Sequence, residues 1–275
     1  MNKTQCIILM IILLLIFYCI TKNNFFCEKY NNVYKVPIYC LMVTGKDKKR
    51  NEFAEISILN FNLQTYTNKK LVIINHGEFN IEYEQNPNII YVKTDKINKT
   101  LGDLRNVSLK YVPVDSIWTT WDDDDWRSND YLEKLYFELI NSKSRMLLIK
   151  NRLEYNLQSK FAWESTMKSG FYWFFGFYDK RLNYESLDTF EDGIIKQLLK
   201  LYNIKTKIYD NDHRMYLRFV HKNNTSLFVD SEKKNIINYD LQESDFFEKN
   251  ISEINNNYVN YIVDKYYVNI IKKYY

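Results

Sequence analysis

Residues 116–126 read Ser116-Ile117-Trp118-Thr119-Thr120-Trp121-Asp122-Asp123-Asp124-Asp125-Trp126, and this stretch decides the fold. Its first half is rich in β-branched and aromatic residues, which predicts a buried strand. Propensity does not explain the four aspartates, because Asp disfavours strands and adjacent like charges repel. A divalent cation explains them, since Mg²⁺ and Mn²⁺ take carboxylate oxygens and complete their shell with substrate phosphates. The alternative is a solvated acidic turn before a helix that starts near Ser128.

The sequence upstream of this stretch alternates between strand and helix patterns. The predicted strands are Tyr39–Val43, Leu71–Ile74, Ile89–Val92 and Ile117–Trp121, and the predicted helices are residues 51–63 and 101–112. Strands joined by helices form right-handed crossovers, which predicts a mostly parallel sheet with ligands at the carboxyl ends of its strands. Thr44-Gly45, Asn75-His76-Gly77 and the aspartates all fall at such ends.

Five segments carry a family resemblance. They are Ser57-Ile58-Leu59-Asn60 through Gln64-Thr65-Tyr66 to Leu71–Gly77, Leu101–Asn106, the aspartate run, Phe190-Glu191-Asp192-Gly193, and Tyr216–Thr225. In the same order they resemble motifs of family 2 glycosyltransferases, including the Asp-x-Asp signature, a Gly-x-x-x-Arg-Asn helix (one residue shorter here) and a Glu-Asp motif. The resemblance spans roughly residues 36 to 226.

The resemblance implies a fold and an activity. The fold is the GT-A fold, a Rossmann-like three-layer α/β/α sandwich with a mostly parallel central sheet. The activity is a hexosyltransferase-type transfer, metal-dependent and inverting, from a nucleotide-sugar donor to a glycan, lipid or protein acceptor. The implied cofactor is Mn²⁺ or Mg²⁺, which acts as the Lewis acid for the departing diphosphate.

The resemblance also implies roles for the acidic run. Asp122 would lie near the ribose and the metal, Asp124 would hold the ion, and Asp125 would lie nearby. The register stays open, because Asp123 and Asp125 can take the same parts. His221 is expected to be a further metal ligand or a diphosphate contact, since neutral imidazole is a common ligand. The alternative for His221 is a structural residue at the end of a strand.

A carboxylate is expected to activate the acceptor hydroxyl, which is a weak nucleophile without a base. Glu191 and Asp192 precede an amphipathic helix that starts at Gly193. In the resembling family this Asp is the general base, so Asp192 is the predicted base, with Glu191 beside it. The alternative is helix capping, which Asp also favours. Arg105 is expected to serve the donor site, with a surface salt bridge as its alternative.

The donor pocket departs from the family pattern. The second strand of family members ends in Asp-Asp-Gly, whereas this chain has Asn75-His76-Gly77. Asn75 and His76 can still hydrogen-bond a base edge, and we predict that they bind the donor together with Thr44. The identity of the nucleotide stays open. Lys222 stands where the family often has glycine.

The second half of the chain is rich in aromatic residues. Short strands are predicted at Met146–Ile149 and Phe171–Tyr178. Trp163 and Trp173 are candidates for acceptor contacts, although core packing is the more common role of such residues. Residues 231–275 are predicted to form a helical tail that packs on a domain of residues 31–230 or presents a partner surface.

Residues 6–20 form an uninterrupted apolar run of 15 residues. A bilayer span usually needs ~20 residues, and a cleaved signal peptide has an apolar run of similar length. No small-x-small cleavage site follows, which favours an uncleaved membrane anchor with its stem over residues 1–30. We expect a single-pass, type II protein with a lumenal or otherwise non-cytosolic domain.

The composition excludes some classes of function. The net charge of +4 is spread along the chain without a basic aromatic motif, which argues against nucleic-acid binding. The four cysteines form no Cys-x-x-Cys pair, which argues against a zinc site. Abundant Asn, Lys, Ile and Tyr indicate an A/T-rich genome, such as that of a giant DNA virus. Two other functions remain: a non-catalytic binder of nucleotide sugar or glycan, and a metal-dependent phosphoryl hydrolase, for which no second ligand set is visible.

Overall fold

A computed structural model of the chain describes residues 36–45, 47–94, 99–171, 173–221, 249–253 and 257–274. The predicted membrane anchor and stem lie outside these residues. Within the described part, no helix has both the length and the apolar character needed to cross a membrane.

The described part contains twelve strands and six α-helices. The strands are β1 (Ile38–Thr44), β2 (Lys69–Asn75), β3 (Ile89–Lys93), β4 (Ile117–Thr120), β5 (Trp126–Arg127), β6 (Met146–Ile149), β7 (Asn151–Asn156), β8 (Phe161–Met167), β9 (Phe174–Phe177), β10 (Thr206–Tyr209), β11 (Tyr216–Val220) and β12 (Lys249–Glu253). The helices are α1 (Lys48–Asn62), α2 (Leu101–Leu109), α3 (Tyr131–Asn141), α4 (Gly193–Leu201), α5 (Asn257–Ile262) and α6 (Val268–Tyr274). A 3₁₀ turn (His213–Met215) precedes β11, and a π-helical turn (Val263–Tyr267) joins α5 to α6.

The larger sheet has seven strands in the order β10-β6-β9-β4-β1-β2-β3. All its neighbouring strands are parallel except β9, which runs antiparallel to both β4 and β6. The predicted mostly parallel sheet is therefore confirmed. Because β1, β2 and β4 are adjacent and parallel, their carboxyl ends meet at one edge of the sheet.

Helices cover both faces of this sheet. On one face α2 and α4 pack through Leu104 and Ile195 against Leu41, Val72 and Trp118. Alternate residues of a strand point to opposite faces, so the remaining buried residues of β1 point to the other face. There α1 and α3 contact the sheet at β1 and β6. This arrangement gives the expected mixed α/β layers.

A second sheet of five strands, in the order β12-β8-β7-β11-β5, was not expected as a separate layer. All six residues of β7 are buried, although four of them are polar: Asn151, Arg152, Glu154 and Asn156. Hydrophobic periodicity cannot reveal such a strand. Buried polar residues need partners, and here Arg152 Nε donates to Glu154 Oε1 at 2.8 Å.

The C-terminal helices pack on the second sheet. Val259, Ile262 and Tyr267 are buried in a cluster with Leu153 and Phe219 of that sheet. The helical character predicted for the tail is present from residue 257 to residue 274. In addition, β12 pairs antiparallel with β8. The tail thus contributes both a strand and part of the core.

Candidate active site

The loops after β1 and β2 meet closely at the carboxyl edge of the larger sheet. Thr44 and Asn75 are register partners at the ends of the two strands. Gly45 has a φ of 101°, a conformation that favours glycine. A Cβ on Gly77 would lie 1.7 Å from the carbonyl oxygen of Gly45. Both glycines are therefore required for the two loops to approach each other.

Asn75 has an internal role in these loops. It is fully buried, and its Nδ2 donates to the carbonyl oxygen of Phe79 at 2.9 Å and to the Tyr91 hydroxyl at 2.7 Å. Its Oδ1 accepts a bond of 2.9 Å from the Gly77 amide. The side chain that was predicted to contact the donor base thus also organises the loop. Of the predicted donor contacts at this edge, Thr44 is buried and His76 is partly exposed.

The four aspartates follow β4 after one intervening residue, Trp121. Three of them are buried: Asp123, Asp124 and Asp125 are 1%, 4% and 2% exposed. A solvated acidic turn, the alternative that the sequence left open, is therefore wrong. Asp122 is the more exposed one. Its Oδ1 accepts a 3.0 Å bond from Arg105, and its Oδ2 accepts a 3.1 Å bond from the Trp173 indole.

The structure brings together two of the four residues predicted to hold a metal. Oδ2 of Asp124 lies 3.0 Å from Nε2 of His221. Asp125 instead accepts hydrogen bonds from the Tyr216 hydroxyl and, at 3.2 Å, from the Phe219 amide. Asp122 accepts a hydrogen bond from Arg105. Among the described residues, no group of three or more His, Cys, Asp or Glu side chains gathers as a metal site.

The buried environment changes how these carboxyls ionise. Burial opposes the charge of Asp124, but Arg50 and His221 outweigh it and hold the pKa of that carboxyl well below its usual range. Burial and the neighbouring charges of Asp124 and Asp122 raise the pKa of Asp125 to about 8. A carboxyl that stays ionised suits a cation ligand, whereas one that holds its proton suits an internal hydrogen-bond network.

Helix α2 explains the Gly-x-x-x-Arg-Asn motif. A Cβ on Gly102 would lie 1.7 Å from the carbonyl oxygen of Glu185, so glycine lets the 184–191 loop lie against the helix. Asn106 fixes that loop through both ends of its amide, donating to the Tyr184 carbonyl at 2.9 Å and accepting from its amide at 2.8 Å. The motif therefore holds the segment that leads to the Glu-Asp pair.

Arg105 connects the acidic run to the Glu-Asp pair. Its Nε donates to Oε1 of Glu191 at 2.9 Å, while its Nη2 donates to Asp122 at 3.0 Å. The guanidinium and Glu191 are both largely buried. Arg105 is thus an internal bridge and not a surface salt bridge. Because one planar guanidinium binds both carboxylates, it fixes the distance between Asp122 and Glu191.

Asp192 occupies the N-cap position of α4 but makes no capping hydrogen bond with its side chain. The capping alternative is therefore wrong. Burial raises the pKa of Asp192 to about 7, with the adjacent Glu191 charge adding to the effect. A carboxyl with a pKa near neutrality is suited to accept and release a proton.

The ring of His221 is held by aromatic neighbours. It is fully buried and stacks on Phe53 with centroids 5.4 Å apart and an interplanar angle of 6°. Phe53 in turn contacts Tyr267 of the π-helical turn, which also packs on Phe219 at 4.3 Å. The C-terminal segment therefore supports the histidine ring indirectly, because Tyr267 packs against the Phe53 ring that stacks on His221. A π turn of this kind is frequently associated with functional sites.

The two acceptor candidates have different positions. Trp173 contacts the acidic run through Asp122 and lies 4.5 Å from the Tyr216 ring. Trp163 is buried in the second sheet, where it stacks on Phe161 at 5.7 Å. Only Trp173 therefore lies beside the other predicted site residues.

Sequence reasoning missed Arg50, in the first turn of α1. Its guanidinium forms ion pairs with both Asp123 and Asp124, and its Nε donates to Oδ2 of Asp123 at 3.1 Å. A signal was available, because Lys48-Lys49-Arg50 places three cations at a helix N-terminus, where the helix dipole disfavours positive charge.

A second missed group consists of Arg152, Glu154 and Arg218. Glu154 is buried between the two arginines, with Arg218 Nη1 3.7 Å from its Oε2. Arg152 also lies over the Phe171 and Trp173 rings, 3.9 Å and 4.4 Å from their centroids. The group thereby fixes Trp173, which contacts Asp122.

The fold is similar to that of solved structures of S. aureus TarS. The structure of TarS 1–349 in complex with UDP-GlcNAc matches with a TM-score of 0.53 and 14% identity over 69% of this chain and 60% of that one. TarS 1–349 without a named ligand matches with a TM-score of 0.50, and a longer TarS structure with 0.51, of which the match covers 37%. The chain thus spans about 60% of the TarS 1–349 structures. No protein-family model and no curated protein matches the sequence.

This similarity confirms a mixed α/β fold with a central sheet, like that of TarS. At 14% identity the likeness concerns the fold. The roles of individual residues therefore depend on the geometry of the site itself.

Proposed function

We propose that this chain is a glycosyltransferase that moves a sugar from a nucleotide donor to a glycan, lipid or protein acceptor, with inversion and with the help of Mn²⁺ or Mg²⁺. A single observation carries the proposal. Arg105 bridges Asp122 and Glu191 at 3.0 Å and 2.9 Å, which joins the acidic run to the segment that bears Asp192. The groups that we propose to bind the donor and to accept the proton are thus joined through Arg105. A protein of similar fold, TarS, has been crystallised with UDP-GlcNAc, which supports a nucleotide sugar as donor.

The residues at the acidic run fit a divalent cation that is shared with a diphosphate. Oδ2 of Asp124 and Nε2 of His221 are 3.0 Å apart, about the separation of neighbouring ligands on an ion with bonds of about 2.1 Å. Mg²⁺ is commonly held by one or two carboxylates plus substrate phosphates, so a two-residue site is sufficient. When bound, the cation supplies the Lewis acid that stabilises the leaving diphosphate.

The remaining residues orient and activate the substrates. Arg105 holds Asp122 at the donor side, and Trp173 fixes the second oxygen of the same carboxylate. Asp192 accepts the proton of the attacking acceptor hydroxyl, for which its raised pKa of about 7 is suited. Inversion follows from direct attack on the side opposite the leaving diphosphate, with one carboxylate as base.

We further propose that the apolar run of residues 6–20 anchors the enzyme in a membrane as a type II protein with a non-cytosolic domain. The A/T-rich residue usage supports a virus or another A/T-rich genome as its source. These proposals rest on the sequence alone.

A donor screen tests the proposal. The full-length chain is incubated with individual nucleotide sugars and with glycan, lipid and protein acceptors that can take the sugar, and the released nucleoside diphosphate is measured with Mn²⁺ and with a chelator. We expect one donor to be turned over with Mn²⁺ and the chelator to suppress that turnover. Release that is equally fast with chelator would contradict the proposed metal dependence. No release from any donor would contradict the proposed glycosyltransferase activity.

One observation favours a second candidate, a non-catalytic nucleotide-sugar binder. Asn75 stands where family members have the acid that contacts the base, and both protons of its amide are donated within the protein. A binder would show donor affinity by calorimetry without release of diphosphate. The same screen therefore separates the two functions.

A further inference from the structure

Arg50 places a permanent positive charge against two buried carboxylates of the acidic run, Asp123 and Asp124. It is only 16% exposed, and it forms ion pairs with Asp123 and with Oδ2 of Asp124. Asp47 caps α1 by accepting a 2.9 Å bond from the Arg50 amide, and this cap fixes where the arginine emerges. The contact is therefore built into the start of the helix.

The contact with Asp124 falls on the oxygen that a cation would need. Oδ2 of Asp124 is the atom that lies 3.0 Å from Nε2 of His221, and it is also the atom that pairs with Arg50. A guanidinium and a divalent cation cannot both bind that oxygen tightly, because the two positive charges would repel each other at close range.

Arg50 also binds a second carboxylate, Asp123, for which the cation does not compete. Its Nε and Nη2 both bind Asp123, so two of its three nitrogens are held there, while only Nη1 pairs with Asp124. The neighbouring carboxylates have their own donors, Arg105 for Asp122 and Tyr216 for Asp125. Arg50 is thus the cation that pairs with both Asp123 and Asp124.

We propose that Arg50 is the resident cation of this site: without a metal it neutralises Asp123 and Asp124, and on cation loading it keeps Asp123 and releases Asp124. The proposal rests on the proposed function only in taking Asp124 and His221 as the cation ligands. It explains how the protein stays folded with these carboxylates buried when no metal is bound, since an unpaired buried charge is strongly destabilising. It also predicts that Mn²⁺ binds weakly until a diphosphate adds its own negative charge.

The test measures Mn²⁺ affinity of the full-length chain, without nucleotide, by electron paramagnetic resonance. Arg50→Met is compared with the wild type and with Arg105→Met as the matched control, because both arginines are buried and pair with two carboxylates. We expect Arg50→Met to bind Mn²⁺ roughly tenfold more tightly than the wild type, a typical coupling between two competing ligands. Arg105→Met should gain much less, because its partners do not include Asp124.

Equal affinity in the wild type and Arg50→Met would overturn the proposal. An equal gain in Arg105→Met would also overturn it, because a general change in charge would then explain the effect. If Arg50→Met does not fold, Arg50→Lys serves instead. A lysine ammonium is a point charge that cannot grip both carboxylates in the same fork, so its Mn²⁺ affinity should exceed that of the wild type, and an unchanged affinity would overturn the proposal.

Melting temperatures give a second readout that does not depend on catalysis. Without Mn²⁺, Arg50→Met should melt earlier than the wild type, and added Mn²⁺ should raise its melting temperature by more than that of the wild type. Mn²⁺ binding that tightens in Arg50→Met supports the proposal whether or not any donor is turned over. Failure of both proteins to bind Mn²⁺ overturns it, while glycosyl transfer is judged separately by the donor screen.

Discussion

Nε2 of His221 lies 3.0 Å from Oδ2 of Asp124, although 97 residues separate them in the chain. Asp124 follows β4 of the larger sheet, and His221 follows β11 of the second sheet. The pair therefore forms only when the two sheets pack correctly. A site of this kind couples the proposed chemistry to the tertiary structure.

Asp124→Asn should remove cation-dependent donor turnover while the protein stays folded. An amide is a weaker ligand for a hard cation than a carboxylate, and Lewis-acid stabilisation is worth several kcal/mol, so we expect a loss of at least about a hundredfold in turnover. Circular dichroism should show an unchanged fold, because Arg50 keeps its bonds to Asp123. Full turnover in this variant would contradict the cation assignment.

Tyr216→Phe should lower stability through Asp125 and leave the cation site in place. The Tyr216 hydroxyl donates to Oδ2 of the buried Asp125 carboxyl, and a buried acceptor that loses its donor costs ~1–3 kcal/mol. The measurement is the free energy of unfolding by denaturant. The exposed Tyr111→Phe is the control and should change it by less than about 0.5 kcal/mol. Equal effects of the two variants would show that the Asp125 bond contributes nothing.

The part of the site that the sequence predicts is the part with a chemical signature. Hydrophobic periodicity predicts the strand before the aspartate run and the helix after Asp192, while the roles of Asp124 and Asp192 come from the family resemblance. The bounds of β6 were predicted to the residue. Patterns of this kind depend on local spacing, which a single sequence reveals directly.

The missed parts depend on long-range pairing. The sequence of β7 does not indicate a buried strand, because it contains Arg152 and Glu154. Their ion pair, which makes the burial possible, forms only in the folded protein. Asn75 looks like a ligand contact in the sequence, yet its amide is used by Phe79, Tyr91 and Gly77. Arg50 carries no motif, since its carboxylate partners lie 73 and 74 residues away.

Deletion of residues 1–30 should give a soluble protein that keeps its fold. The first described strand begins at Ile38, so no strand or helix of the described part is removed. The measurement is fractionation between membrane and soluble phases, with the full-length chain as control. A truncated protein that stays with membranes as firmly as the full chain would show that the apolar run is not the main attachment.

Transfer should depend on pH with a midpoint near the pKa of Asp192. Burial raises that pKa to about 7, so the carboxylate form that accepts a proton is complete above this pH and is lost as pH falls. The acceptor kcat/KM, measured with saturating donor and Mn²⁺, should fall about tenfold per pH unit on the acidic side. Donor binding measured without acceptor is the control and should lack this midpoint. A profile that stays flat down to about pH 5 would contradict Asp192 as the base.

Asp192→Asn should abolish transfer without a loss of stability. Removal of a general base costs ~10²–10⁴-fold in rate, so we expect turnover to fall at least about a hundredfold while donor affinity measured by calorimetry is retained. The side chain makes no capping bond. Because folding raises its pKa from 3.8 to about 7, its ionisation costs stability that grows over this pH range and is complete above about pH 7. A neutral amide should therefore leave the melting temperature equal or slightly higher. Glu191→Gln is the matched control, because it breaks the buried ion pair with Arg105 and should melt earlier. If Asp192→Asn melts earlier yet turns over normally, its carboxylate has a structural role and Glu191 becomes the candidate base.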